Sequence, residues 1–470
     1  MNTKTTVITP KQLQEQFAFC DRIAAYWVRQ GRTPTAYVET YGCQQNEADS
    51  EKIRGYLAQC GYAIVSEAEG ADVVVMNTCA IREHAEQRVF GNLGALTHTK
   101  RRHPEQKIFL CGCMAGEPHV SERIRKSFPY VDGVFSTHHL WQFPEILCRV
   151  LTEKKRQFYV ADEPGSIAEG IPQMRDNALK AWVSIMYGCN NFCTYCIVPY
   201  VRGRERSRRP EDILAECRCL VENGCREITL LGQNVNSYGK DLDCGMDFAD
   251  LLTAIAAIPG DFLIRFMTSH PRDASRKLFE AMAASPKIAK QLHLPFQSGS
   301  SRVLKAMNRH YDREQYLDKA LTAKAIMPDL VLTSDVIVGF PGETEEEFEE
   351  TLSLIRQVRY DSLFTFIFSP REGSPAAKME DPTPKEEKNR RFDRLCALQN
   401  EISQEIHASY IGRTFRCLVD GQEGDLLTAR TEGGRLVRFP GDASLIGDFH
   451  NITITGATTW SLTGKLPSAE

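Results

Sequence analysis

From residue 34 to about 150, short β-rich apolar runs alternate with helix-length stretches: TAYVETYG, a helical pattern over about 46–59, VVVMNT, another over about 81–97, KIFLCG, and one beginning near Glu117. That alternation predicts an α/β domain, a parallel sheet with crossover helices. Residues 1–33 are polar with one helical stretch, FCDRIAAYW, and stand as an N-terminal extension. The segment 161–180 carries no period and reads as a linker. Beyond it the alternation resumes on a larger scale, with strands near AWVSIMY, EITLLG, LIRFMT, QLHLPF, LVLTSDVIVG and SLFTFIFS, all but the last followed by a helix-length segment. Six such units within 175–408 predict an incomplete (β/α)6 barrel with its site at the C-terminal strand ends. A charged helix over about 384–410 closes this region. Over 409–467 the pattern changes to FRCLVDG, LLTART, RLVRFP and NITITGA, separated by Gly and Asp turns, and predicts a small all-β module.

Composition narrows the setting. The 470 residues, 42% hydrophobic and 25% charged, allow several buried cores. A net charge of -4 argues against wholesale nucleic-acid binding, so any such contact must come from local patches. No apolar run approaches the roughly 18 residues of a membrane span, and MNTKTTVITPKQLQEQ lacks the apolar core of a signal peptide. A cytoplasmic location is expected. There, 16 cysteines are expected as reduced thiols, some of them metal ligands, rather than as a disulfide framework.

The chemistry concentrates in YGCNNFCTYCIVPYVRG, where Cys189, Cys193 and Cys196 follow a C-x3-C-x2-C spacing. A [4Fe-4S] cluster normally takes four thiolates. Three close cysteines hold three irons and leave the fourth to a small molecule, such as the amino and carboxylate groups of S-adenosylmethionine. Zinc is the alternative, but its usual spacing pairs C-x2-C with a second pair that does not follow here.

A second set, Cys43, Cys79 and Cys113, lies in YGCQQN, NTCAIRE and CGCMAGE, each at the C-terminal end of a predicted strand. Parallel strands put those ends on one edge of the sheet, where open α/β sheets bind ligands. The convergence fits a second three-thiolate cluster; the plainer reading is three core cysteines, since free cysteine is commonly buried. Cys111 reads as strand interior.

Together the two triplets resemble those of the methylthiotransferases, a radical S-adenosylmethionine family. The likeness runs from about residue 34 to the C-terminus, through LLGQNV, LPFQSGS, DVIVGFPGET and SPREGSPAA in family order. Gln45 and Ala429 depart from the pattern, standing where methionine and glycine are usual. The resemblance implies a Rossmann-like N-terminal domain over 34–150 with an auxiliary [4Fe-4S] cluster on Cys43, Cys79 and Cys113, a radical domain with its cluster on Cys189, Cys193 and Cys196, and a C-terminal RNA-binding TRAM module, a small all-β barrel. It also implies S-adenosylmethionine contacts at Tyr195, Gly232, Gln233, Asn234, Gln297, Ser298 and Asp335. Five arginines crowd RGRERSRRP: Arg202 and Arg204 read either as a solvated loop or as contacts to phosphate, that of RNA, or to a cofactor. Arg413, Arg416, Arg430, Arg435 and Arg438 give the last module local positive charge for RNA, although acidic residues are interspersed.

The implied activity is radical insertion of sulfur, with methyl transfer, at carbon 2 of N6-isopentenyladenosine next to the tRNA anticodon. S-adenosylmethionine would be both radical source and methyl donor. Sister activities on threonylcarbamoyladenosine or on a ribosomal-protein aspartate are the alternatives, as is a noncatalytic iron-sulfur protein that binds RNA. The implied partners are tRNA, an electron donor such as flavodoxin or ferredoxin, and a sulfur or cluster donor protein.

Overall fold

The structure, a computed structural model, describes residues 6–80, 83–160 and 165–467, with backbone alone at 83–85. The chain divides into two compact units. One comprises Met1–Asp176, Met186–Asn190 and Cys196–Arg208; the other comprises Asn177–Ile185, Asn191–Tyr195 and Arg209–Glu470.

The first unit is built on a six-stranded parallel sheet in the order Ala63–Ile64, Thr35–Thr40, Val73–Thr78, Lys107–Gly112, Gly133–Phe135 and Gln157–Tyr159. The middle strands are apolar because both faces are covered. Val73, Val75, Phe109 and Phe135 face a core with Cys20, Ile23 and Trp27 of the helix Pro10–Arg29 and with Phe143 and Ile146 of Phe143–Glu153. Val74, Met76, Ile108 and Leu110 face the opposite core, with Val89, Leu93, Val120 and Ile124. Each such side chain contributes about 1.5–3 kcal/mol by burial. The N-terminal extension is therefore part of this unit. Its helix starts at a capping box, Thr9 with Gln12, and a proline at the first turn.

The expected linker is, up to Asp176, also tied into this unit, while from Asn177 on it belongs to the second. Ser166–Ile167 pairs with Thr6–Val7, Met174 N–H donates to Glu51 at 2.9 Å, and Arg208 grips Glu169 at 2.6 Å. Residues 161–164 of that segment lie outside the described residues.

In the second unit the six expected strands occur in order, but as two three-stranded parallel sheets. Lys180–Ser184, Glu227–Leu231 and Leu263–Phe266 form one; Gln291–His293, Val331–Val338 and Ser362–Ile367 form the other. A single bridge, Ile264 to Ile288, continues the first toward the second. The expected first strand is cut after Ser184, and Met186–Tyr187 pairs with Arg206–Ser207 inside the first unit. The helix Lys385–Ala408 lies against Ser362–Ile367. The last five strands close into a barrel around Val419, Leu427, Val437, Phe439, Ile452 and Leu462. Among the described residues, no helix is long and apolar enough to cross a membrane.

Candidate functional site

Three adjacent strands of the first unit each deliver one thiol. Cys79 follows Val73–Thr78 directly, Cys113 follows Lys107–Gly112, and Cys43 precedes the helix Gln44–Gln59 just beyond Thr35–Thr40. Parallel pairing of these strands brings their ends to one edge. Electrostatics registers the convergence: the Cys113 thiol is pushed up to about 12, first by burial and then by Cys79 and Cys43, with Arg202 opposing. Gly112 makes the approach possible, since at φ +96° a Cβ there would lie 2.4 Å from the Thr78 carbonyl oxygen. Polar support comes from Asn46, fully buried, whose amide donates to Asn77 and Thr78 and whose oxygen accepts from Cys43 at 3.4 Å. Cys111, inside its strand, belongs to the core as expected.

Among the described residues no group of three His, Cys, Asp or Glu side chains is arranged to hold one metal ion. A [4Fe-4S] cluster does not require that, because each thiolate ligates its own iron. Three mutually interacting thiols at a strand edge, Cys79 and Cys113 buried and Cys43 half-buried, match the donor set of such a cluster.

The central triplet comes from one loop, and its residues are held separately in each unit. In the first unit Cys189 N–H donates to Gly203 at 3.1 Å, and Asn190 bonds Glu205. Gly188, at φ +78°, lets the backbone pass the Arg204 carbonyl, which a Cβ would meet at 2.0 Å. In the second unit Cys193 accepts from Arg309 Nη1 at 3.3 Å, and the same nitrogen lies 3.2 Å from the Tyr195 hydroxyl. Arg309 is 4% exposed and is fixed by the Pro295 carbonyl and Tyr311. Asn308 holds the loop from behind through the carbonyls of Asn191 and Phe192. Tyr195 packs its ring against Val303, Met307, Phe340 and Phe368.

Of the other residues expected to meet S-adenosylmethionine, Gly232, Gln233, Asn234, Gln297 and Ser298 follow strands of the second unit and Asp335 lies within Val331–Val338. Gly232 O accepts from Thr268, and Asn234, fully buried, donates to Asp273 at 2.7 Å. The Asn234 oxygen and both amide atoms of the neighbouring Asn236 are buried without a protein partner. Buried polar atoms are normally satisfied, so these three atoms are open to a water or a polar ligand. Gln297 takes φ +67° and bridges to Asp335 and Ile337 through its backbone; Ser298 is buried beside it. Gln233 is half-buried. Asp335 is 3.4 Å from His293 Nε2, and His293 meets Phe364 edge-on. Val336 and Val338 are buried on the other face, as a barrel strand requires. His293, Arg309 and Asn236 carry no sequence signal that would have singled them out.

The arginines divide. Arg204 is exposed, as phosphate contact would require. Arg202 is placed neither in a solvated loop nor for an RNA phosphate: it is 4% exposed, with Nε 3.0 Å from Cys113 Sγ and Nη2 2.9 Å from Asp49. A guanidinium spent on a thiol and a carboxylate has no free edge for RNA. Arg435 is likewise enclosed, on Asp361 at 2.5 Å. Arg413 and Arg416 pair with Asp329 and Asp261, and Arg430 and Arg438 with Asp420 and Glu423. These four pairs are partly exposed, and such pairs exchange at little cost for a phosphate.

A model described as the radical SAM superfamily matches residues 183–355, a TRAM domain model matches 408–466, and the uncharacterized protein family UPF0004 matches 35–136. The chain is 47% identical over 470 residues to the tRNA-2-methylthio-N(6)-dimethylallyladenosine synthase of Acetivibrio thermocellus, covering 98% of each. It is 51% identical over 432 residues to that of Clostridium botulinum strain Langeland, covering 91% of this chain and 96% of the relative. Among solved structures it resembles the radical S-adenosylmethionine methyltransferase TsrM from Kitasatospora setae, with a TM-score of 0.54, 13% identity, and 84% of this chain and 79% of that one covered. That likeness speaks to the fold.

Proposed function

Because this chain belongs to the family of tRNA-2-methylthio-N6-dimethylallyladenosine synthases, radical S-adenosylmethionine enzymes, we propose that it replaces the hydrogen at carbon 2 of N6-isopentenyladenosine, immediately 3′ of the anticodon at position 37, by a methylthio group. The observation that carries the reading is the convergence of Cys43, Cys79 and Cys113 on one strand edge, a thiol set additional to the Cys189, Cys193 and Cys196 loop. When bound, two [4Fe-4S] clusters and S-adenosylmethionine supply a 5′-deoxyadenosyl radical, sulfur and a methyl group.

The chain's own residues hold and orient. Cys189, Cys193 and Cys196 ligate the first cluster, with Arg309 fixing Cys193. Gly232, Gln233 and Asn234 present backbone and amide groups to S-adenosylmethionine; Gln297, Ser298 and Asp335 complete that surface, supported by the unsatisfied atoms of Asn234 and Asn236. Cys43, Cys79 and Cys113 hold the auxiliary cluster. Arg204, Arg413, Arg416, Arg430 and Arg438 would lie against tRNA phosphates, and the target base would leave its stack to enter the site. Flavodoxin or ferredoxin supplies electrons, a separate protein supplies sulfur, and the setting is cytoplasmic.

The test is mass spectrometry of nucleosides from isopentenylated tRNA incubated anaerobically with reconstituted protein, S-adenosylmethionine, sulfide and dithionite. The 2-methylthio nucleoside is expected. If 5′-deoxyadenosine forms without it, the substrate reading fails and threonylcarbamoyladenosine tRNA is next; if neither forms, the radical reading fails.

A further inference from the structure

Arg202 is a buried cation whose two ends are both accounted for. Asp49, itself 5% exposed, takes Nη2 at 2.9 Å, and Gln45 steadies Asp49 from the other side at 3.4 Å. This fixes the planar fork, leaving Nε directed at Cys113 Sγ, 3.0 Å away. The side chain is anchored at its base as well: Arg202 N–H donates to Val198 at 2.9 Å, while Ile197 and Val201 pack with Cys113 and Ala80. Burying a guanidinium is costly unless negative charge faces it. Asp49 supplies one such charge, and a metal-ligating Cys113, as thiolate, supplies the second.

We infer that Arg202, oriented by Asp49, is a positioning residue that raises the reduction potential of the auxiliary cluster through its hydrogen bond to the Cys113 sulfur. The inference rests on the two-cluster reading. A cationic donor on a ligating sulfur draws charge from it and favours the reduced, more negative form; hydrogen bonds to sulfur and net charge are among the levers that set such potentials.

The experiment uses the full chain carrying C189A, C193A and C196A, so that only the auxiliary cluster remains, reconstituted anaerobically, with its midpoint potential read by EPR. Arg202→Met is expected to keep about four irons and to lower the potential by about 59 mV or more, a tenfold change in the one-electron equilibrium. Arg202→Lys, which keeps the charge without the fork, is expected to fall between. An Arg202→Met protein that holds its irons at the parental potential overturns the inference. If Arg202→Met does not hold iron, Arg202→Lys decides: a lowered potential supports the inference and an unchanged one overturns it. If the parent triple variant itself binds no iron, the two-cluster reading fails, a distinct result from an unmoved potential.

Discussion

Cys43, Cys79 and Cys113 come together because three strands pair; Cys189, Cys193 and Cys196 come from one loop whose spacing is already short along the chain. The first set depends on the sheet and its two apolar cores, the second on local backbone turns such as that at Gly188. Both are nevertheless furnished in the same way, with a buried arginine on one sulfur: Arg202 on Cys113 and Arg309 on Cys193. Two routes to a set of three cysteines thus share one kind of support, and substitution should separate them.

The strongest contrast comes from replacing each triplet by alanine. The variant lacking Cys189, Cys193 and Cys196 is expected to lose 5′-deoxyadenosine formation entirely. The variant lacking Cys43, Cys79 and Cys113 is expected to keep it while losing methylthiolation, and each is expected to lose about four irons. Iron analysis with product chromatography checks both; an unchanged iron content in the second variant would collapse the distinction. Next, Phe109→Ala, in the core beneath the strand edge, should cost about 3–5 kcal/mol in the first unit. Chemical denaturation followed by iron release should show the auxiliary cluster lost at lower denaturant than in the parent, and an unmoved release midpoint would contradict the sheet dependence.

Arg309→Met should weaken central-cluster retention or S-adenosylmethionine cleavage by about 10–100-fold, the usual range for a ligand's supporting partner. Equal loss of the auxiliary cluster would show that the two layers are not separate.

The smallest effect concerns pH. Burial pushes Glu343 up to about 7 against the backbone bond from Gly339 and the nearby Arg391. A carboxyl raised in the folded state contributes stability that is fully present below its unfolded value, about 4.5, and is lost as pH rises through about 7. Melting at pH 5 and pH 8 should show the parent losing on the order of 1 kcal/mol relative to Glu343→Gln over that range. Parallel pH profiles would mean that the group does not titrate there.

Much of this architecture was readable in the strand-helix alternation, because strands such as VVVMNT are long, apolar and bounded by turns. The outer strands of the first sheet, Ala63–Ile64, Gly133–Phe135 and Gln157–Tyr159, are two or three residues long and leave no periodic trace. Of the helix Pro10–Arg29 only the stretch FCDRIAAYW is legible in the sequence; its start at Thr9, Pro10 and Gln12 lies in a polar run without apolar period. Both cysteine triplets were legible, one by spacing and one by strand position. Arg202 was not. A run of five arginines reads as a solvated stretch, and only the fold shows that Arg202 turns inward to meet Asp49 and Cys113 while Arg204 turns outward.

The first unit takes its last piece of chain, Cys196–Arg208, 32 residues beyond Asp176, where its continuous part ends (208 minus 176). At roughly 5–20 residues per second, synthesis needs about 2–6 s to bridge that interval. During it the nascent N-terminal unit exists without Ile197, Val201 and Arg202, and so with an uncovered apolar patch beside Cys113. A ribosome pausing while residues 177–208 emerge would prolong that interval, so translation speed at that moment is expected to bear on folding yield.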